Sequence, residues 1–202
     1  MRTDATLDDL KITPAQVHAI IKNLDTSKAC GPDLIPAVLL KKCSAEVAPV
    51  LSKFYNKCLN EACFTGCWKT ASVVPVFKNS GKRTDPSNYR PISLLPLFAK
   101  IFETLINHAL VHHLTDAKLL TDKQYGFRQA RSTADILTVI SERIYHSLDK
   151  AGEGRAVALD ISKAFDRVWH EGLLKKIRSY GITGRILNII KSFLDKRKIP
   201  SC

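Results

Sequence analysis

No apolar run in this 202-residue chain approaches the length of a membrane span, and the opening MRTDATLDD lacks the apolar stretch of a secretory signal. Those absences predict a soluble, intracellular protein with no membrane partner. The six cysteines show no paired CxxC spacing, so they read as free thiols in a core. Cys58, Cys63 and Cys67 have no fourth ligand at zinc spacing, and His108 and His112 have no HExxH or carboxylate companion. Internal repeats and low-complexity tracts are missing as well. Acid is scarce: 19 Asp and Glu stand against 31 Lys and Arg, a net charge of +12. That surplus points to a polyanionic partner, nucleic acid first. With 45% hydrophobic residues there is material for one large core or two small ones.

What is present is organised around residues 156–170, AVALDISKAFDRVWH. Ala156-Val157-Ala158-Leu159 has the length and composition of a strand buried on both faces. It ends on Asp160, a charge too costly to leave buried and unpaired. A carboxylate there is an acid held rigidly at a rim, or else the cap of a helical turn starting near Ser162. Asp166 follows Phe165 and precedes Val168 and Trp169.

Taken in order, Thr13-Pro14-Ala15-Gln16 is a capping-box helix opening, with Val17, Ile20, Ile21 and Leu24 on one face. A Gly31-Pro32 turn follows, then helical periodicity from Ile35 to Lys42, and again from Glu46 through Val47, Val50, Leu51, Phe54 and Cys58. Asp8-Asp9 reads as a solvated N-terminal cluster. Ser72–Phe77 is β-rich, and Pro75 confines it to an edge or irregular strand. It leads into the basic loop 78–83, and a strand returns at 88–93, a shape suited to gripping phosphates. A long helix is expected over 97–114, with Ile101, Leu105 and Leu114 buried. Residues 124–133 set Arg128 and Arg131 and two aromatics about a glycine turn, before a helix begun by Ser132 or Thr133. Ile136, Val139, Ile140 and Ile144 would bury that helix. Further helices are expected from His170 to Tyr180, stopped by Gly181, and from Gly184 to Lys198.

Six motifs stand in sequence: Lys28–Asp33, Val73–Lys78, Tyr89–Ser93, Gly126–Arg128, Arg131–Thr133 and Leu159–Asp166. In that order the chain resembles the reverse transcriptases of non-LTR retrotransposons, jockey-like elements of the LINE class among them, from about Thr13 to Arg197. The resemblance implies an α+β fold, the fingers and partial palm of a right-hand polymerase, helix-rich with a small incomplete antiparallel sheet. Residues 1–70 would be a helical lead-in and 71–202 the reverse transcriptase domain. The activity implied is RNA-directed DNA polymerisation on an RNA template, from a DNA primer and deoxynucleoside triphosphates, by a ribonucleoprotein in nucleus or cytoplasm. Asp160 matches the first palm aspartate, which with the carbonyl of Ile161 would bind Mg2+ in a two-metal site. Phe165 matches the aromatic under the incoming sugar. Lys78 and Arg90 match the grip on the triphosphate. Gly126, Phe127, Arg128, Arg131 and Ser132 match the segment that contacts template backbone. Asp166 is expected to be mainly structural.

The chain departs from the family's pattern at Cys30, near Phe77 and at Gln129-Ala130, where Pro-Gly is usual and Ala130 stiffens the turn. Two further metal-binding carboxylates, a thumb and an endonuclease domain are expected outside residues 1–202, so these residues alone would bind nucleic acid without extending a primer. The competing expectation is a non-catalytic nucleic-acid-binding remnant.

Overall fold

In the computed structural model, which describes residues 3–198, helices and one antiparallel hairpin make up the regular structure. This agrees with the helix-rich, small-sheet class expected. The chain packs as two compact units, Met1–His113 with His170–Cys202, and Leu114–Trp169.

The first unit opens with α1 (Pro14–Lys22), whose capping box is formed: Thr13 Oγ1 accepts from the Gln16 N–H, and Gln16 Oε1 accepts from the Thr13 N–H. Helices α2 (Ala37–Lys42) and α3 (Ser44–Asn60) follow. The buried stripe of α3 is Ala48, Leu51, Tyr55, Cys58 and Leu59, while Val50 and Phe54 are exposed, so the face is rotated from the one expected. Tyr55 decides this. Its ring stacks on Phe102 at 4.9 Å, and its hydroxyl donates to the Phe98 carbonyl at 2.9 Å, so the one polar atom is satisfied in the core. Phe64 and Trp68 close the same cluster, with centroids 5.6 Å apart.

Two strands, β1 (Ser72–Phe77) and β2 (Tyr89–Leu94), form the hairpin, close to the expected bounds. The next helix, α4 (Leu97–Asp116), buries Ile101 and Leu105 as expected and leaves Leu114 half-buried. Its first free N–H, on Leu97, donates to Asp33 Oδ2 at 3.2 Å. A Cβ on Gly31 would lie 2.2 Å from the Leu95 carbonyl oxygen. The Gly-Pro-Asp turn is therefore a clasp on the β2–α4 corner.

The unit is completed by helices from beyond residue 169, α6 (His170–Ser179) and α7 (Gly184–Leu194). The latter stops short of the expected Lys198, whose N–H instead donates to the Lys69 carbonyl at 2.9 Å. Residues 7–9 strap the α6–α7 turn: Leu7 pairs with Ile182, and the Asp8 carbonyl accepts from the Arg185 N–H at 2.8 Å. Asp9 pairs with Arg185 at 3.1 Å. The Asp8-Asp9 pair is thus a fastening rather than only a solvated cluster. Gly181 (φ +80°) passes so close beneath the strap that a Cβ would lie 2.0 Å from the Ala5 carbonyl oxygen.

The second unit holds α5 (Thr133–Ala151). Here two expectations fail. Ile136 and Val139 are half-buried and Ile140 and Ile144 exposed, so α5 is not buried. No strand forms at 156–159: Val157 and Leu159 are 86% and 93% exposed. A strand covered on both faces needs ladder partners, and among the described residues the only sheet is the β1–β2 pair. The thiols differ too: Cys58 is buried, Cys30 and Cys43 half-buried, Cys63 and Cys67 exposed, and Cys202 lies outside the described residues.

Candidate functional site

The hairpin register sorts its side chains into two faces. The Lys78 N–H donates to the Asn88 carbonyl at 2.8 Å, so 78 and 88 are a hydrogen-bonded pair. Pairs then alternate along the ladder, and Val76–Arg90 and Val74–Ile92 are of the same kind. Pro75 and Pro91 oppose each other at the intervening, non-hydrogen-bonded kind. Neither proline therefore removes a ladder bond; each lacks a donor where the strand would face outward. Successive residues point to opposite faces, so Lys78 and Arg90 share one face with Val74, Val76 and Ile92. The other face carries Val73, Pro75, Phe77, Tyr89 and Pro91.

The loop between the strands is ordered by its own hydrogen bonds. The Lys78 ammonium donates to the Ser87 carbonyl at 2.7 Å, and the Asn88 amide to the Lys82 carbonyl at 2.9 Å. Asp85 accepts from the Ser87 N–H at 2.8 Å; that bond, helped by Lys78, holds its carboxyl below the usual range. Lys78 and Arg90 are exposed cations a ligand can reach.

In the second unit, residues 124–132 form a loop built by its arginines. Arg131 donates to the Asp122 carbonyl, pairs with the Asp122 carboxylate at 3.1 Å and lies over the Tyr125 ring at 5.0 Å. Arg128 donates to the Thr121 carbonyl at 3.2 Å. Both guanidiniums thus hold the loop, that of Arg131 against the Asp122 carboxylate. Ser132 caps α5 in a box with Asp135, whose carboxyl is held low by the Ser132 hydrogen bonds, with Arg131 a lesser cause. The sequence offered the signal for Asp135, an acid three residues after the capping serine; it gave none for Asp122.

Backbone strain falls at Phe127 (φ +59°) and Ala130 (φ +55°), while Gly126 has neither a left-handed φ nor a crowded Cβ position. Ala130 thus takes the conformation in which glycine would be free of strain. Phe127, 94% exposed, meets Phe165 edge to face at 6.5 Å.

Asp160 lies in the irregular segment before the turn 162–167 and is exposed. It does not end a strand. The Asp166 N–H donates to the Lys163 carbonyl at 3.0 Å, a backbone contact within that turn. Among the described residues no three His, Cys, Asp or Glu side chains gather to hold a metal ion. Asp160 and the Ile161 carbonyl therefore fall short of the donors that a pair of magnesium ions takes. Among the described residues no helix is long and apolar enough to cross a membrane.

Residues 77–201, which include every candidate named above, match the reverse transcriptase (RNA-dependent DNA polymerase) family. The chain is 33% identical over 192 residues to the probable RNA-directed DNA polymerase from transposon BS of Drosophila melanogaster, covering 94% of this chain and 21% of that protein. It is 32% identical over 186 residues to the RNA-directed DNA polymerase from mobile element jockey of the same species, covering 92% and 20%. To the jockey polymerase of Drosophila funebris it is 30% identical over 187 residues, covering 93% and 20%. The chain thus spans about a fifth of the length of these relatives. Six motifs in order, carried through to a family match that takes in all the candidate residues, make this chain a member of the reverse transcriptase family.

Proposed function

We propose that the chain is part of an RNA-directed DNA polymerase of a non-LTR retrotransposon, acting inside the cell as a ribonucleoprotein. Residues 71–202 would be its fingers and upper palm, and 1–70 a helical lead-in. The observation that carries the reading is the register that puts Lys78 and Arg90 on one face of the hairpin. Two exposed cations on adjacent rungs suit the oxygens of a deoxynucleoside triphosphate, whose charge must be offset before transfer. Phe165 is the steric gate, its ring filling the space that a 2′-hydroxyl would need. Gly126, Phe127, Arg128, Arg131 and Ser132 are the template contact, two guanidiniums on a loop that ends at a helix N-terminus. Asp160, with the Ile161 carbonyl, is the proposed contribution to a Mg2+ site that other carboxylates complete. RNA template and DNA primer are the partners.

A non-catalytic nucleic-acid-binding module is the second reading, favoured by the lack of a metal-binding cluster among the described residues. A polymerase of the relatives' full length carrying these residues separates the two on a primed RNA template. Asp160→Asn should abolish extension and leave template binding intact, and Phe165→Val should raise ribonucleotide use relative to deoxyribonucleotide. Normal extension by Asp160→Asn overturns the catalytic assignment and leaves the binding reading.

A further inference from the structure

The face of the hairpin that points away from Lys78 and Arg90 has no part in the triphosphate grip, yet it forms a groove of about 580 Å³. Its walls are Val73, Pro75, Pro86, Tyr89 and Pro91, with Arg83 on the rim. Tyr89 and Phe77 are cross-strand partners with ring centroids 5.4 Å apart. The Arg83 guanidinium lies over the Phe77 ring at 5.3 Å, and the Tyr89 hydroxyl donates to the Arg83 carbonyl at 2.9 Å. Ring, guanidinium and loop are thus fixed together, and the positive charge is held over an aromatic surface. No acid lines the groove. The nearest in sequence, Asp85, spends its carboxylate on the Ser87 N–H.

We propose that this groove seats unpaired RNA, one base stacking against Tyr89 and the prolines while its phosphate meets Arg83. The inference rests on the reading that the chain handles an RNA template, and adds to it a second contact surface on the back of the hairpin. Flat apolar walls accept any base, since every base has a π-face, and a fixed guanidinium supplies the phosphate contact. The charge excess of the chain, +12, suits the same occupant. A proline-rich peptide would use the walls but would leave the cation on the rim without a partner.

The test is a titration of the purified 202-residue chain with a short fluorescent oligouridylate, at two salt concentrations. Tyr89→Leu, which keeps apolar bulk and loses the ring, should weaken binding about tenfold with an unchanged salt slope. Arg83→Gln should weaken binding and lower the salt slope by about one. Tyr89→Phe should bind like the parent and controls for loss of the hydroxyl bond. Parent-like affinity in Tyr89→Leu overturns the proposal, as does displacement of the oligonucleotide by a proline-rich peptide but not by excess unlabelled RNA. A fluorescent deoxynucleoside triphosphate titrated against Lys78→Gln with Arg90→Gln tests the other face. Loss of the groove effect with the triphosphate effect kept sinks this inference alone; the reverse sinks the triphosphate grip alone.

Discussion

The two units spend similar apolar material differently. In the first, Tyr55, Phe64 and Phe102 are sealed from solvent and Trp68 nearly so. In the second, no described side chain is buried; α5 shows Leu137, Ile140, Ile144 and Leu148 to solvent, and the 156–161 segment shows Val157, Leu159 and Ile161. The proposed catalytic carboxylate and template loop lie in the unit without a core, the triphosphate cations in the unit that has one. Apolar periodicity reports which side chains would gain from burial. Whether they obtain it depends on a partner surface, and that is where the two units part.

Truncating the aromatic core is the strongest way to sharpen the contrast. Phe102→Ala should cost about 3–5 kcal/mol, seen as a lower urea midpoint by near-ultraviolet dichroism. The matching change in the second unit, Ile144→Ala, should cost less than about 1 kcal/mol, since its side chain already meets water. Equal losses at the two sites would break the comparison by showing a covered α5. Next in size is Gly181→Ala, which combines a left-handed φ with a clash against Ala5. About 2–3 kcal/mol is expected, with amide exchange accelerating in residues 7–9 and α7 and unchanged in α5.

A smaller effect belongs to the second unit. Ser132→Ala removes the α5 cap and should cost about 1 kcal/mol of local helix stability, read as faster exchange in its first turn. Asp135 adds a pH dependence. Its folded carboxyl titrates below the ordinary value, so its contribution is full above that value and is lost as pH falls through the depressed one. The parent's α5 should therefore loosen on acidification, and Ser132→Ala should show little of that loosening. Smallest is Ala130→Gly, which relieves a left-handed alanine and should slow local exchange by the equivalent of about 0.5–1 kcal/mol. Faster exchange there would mean that the entropy of glycine outweighs the strain.

Much of the local architecture was legible in the sequence, because its causes are local. The Thr13–Gln16 capping box, the hairpin bounds, the stop at Gly181 and the Ser132 cap each depend on a few neighbouring residues. The buried face of α3 was misjudged because Phe54 and Tyr55 are both aromatic, and only the distant Phe98 carbonyl selects Tyr55. The 156–159 strand failed for the same kind of reason, a ladder partner no periodicity can supply. Of the candidate site, the two strands and basic loop of the hairpin were readable, but its two faces were not, because they depend on which residues pair across the ladder. The fastening of Arg131 to Asp122 joins residues 9 apart with no periodic signal between them.

The strap of residues 7–9 also orders events in time. Asp9 and Arg185 are 176 residues apart in sequence, so the contact that closes the first unit cannot form until nearly all of that unit has been synthesised. Until α7 leaves the ribosome, α3 lacks the helix that packs against it, and the whole second unit must be synthesised in between. So long a loop closes slowly and exposes apolar surface meanwhile. The first unit should thus fold only once α6 and α7 have emerged, and a ribosome stalled before residue 170 should hold α1 to α4 in a form open to protease.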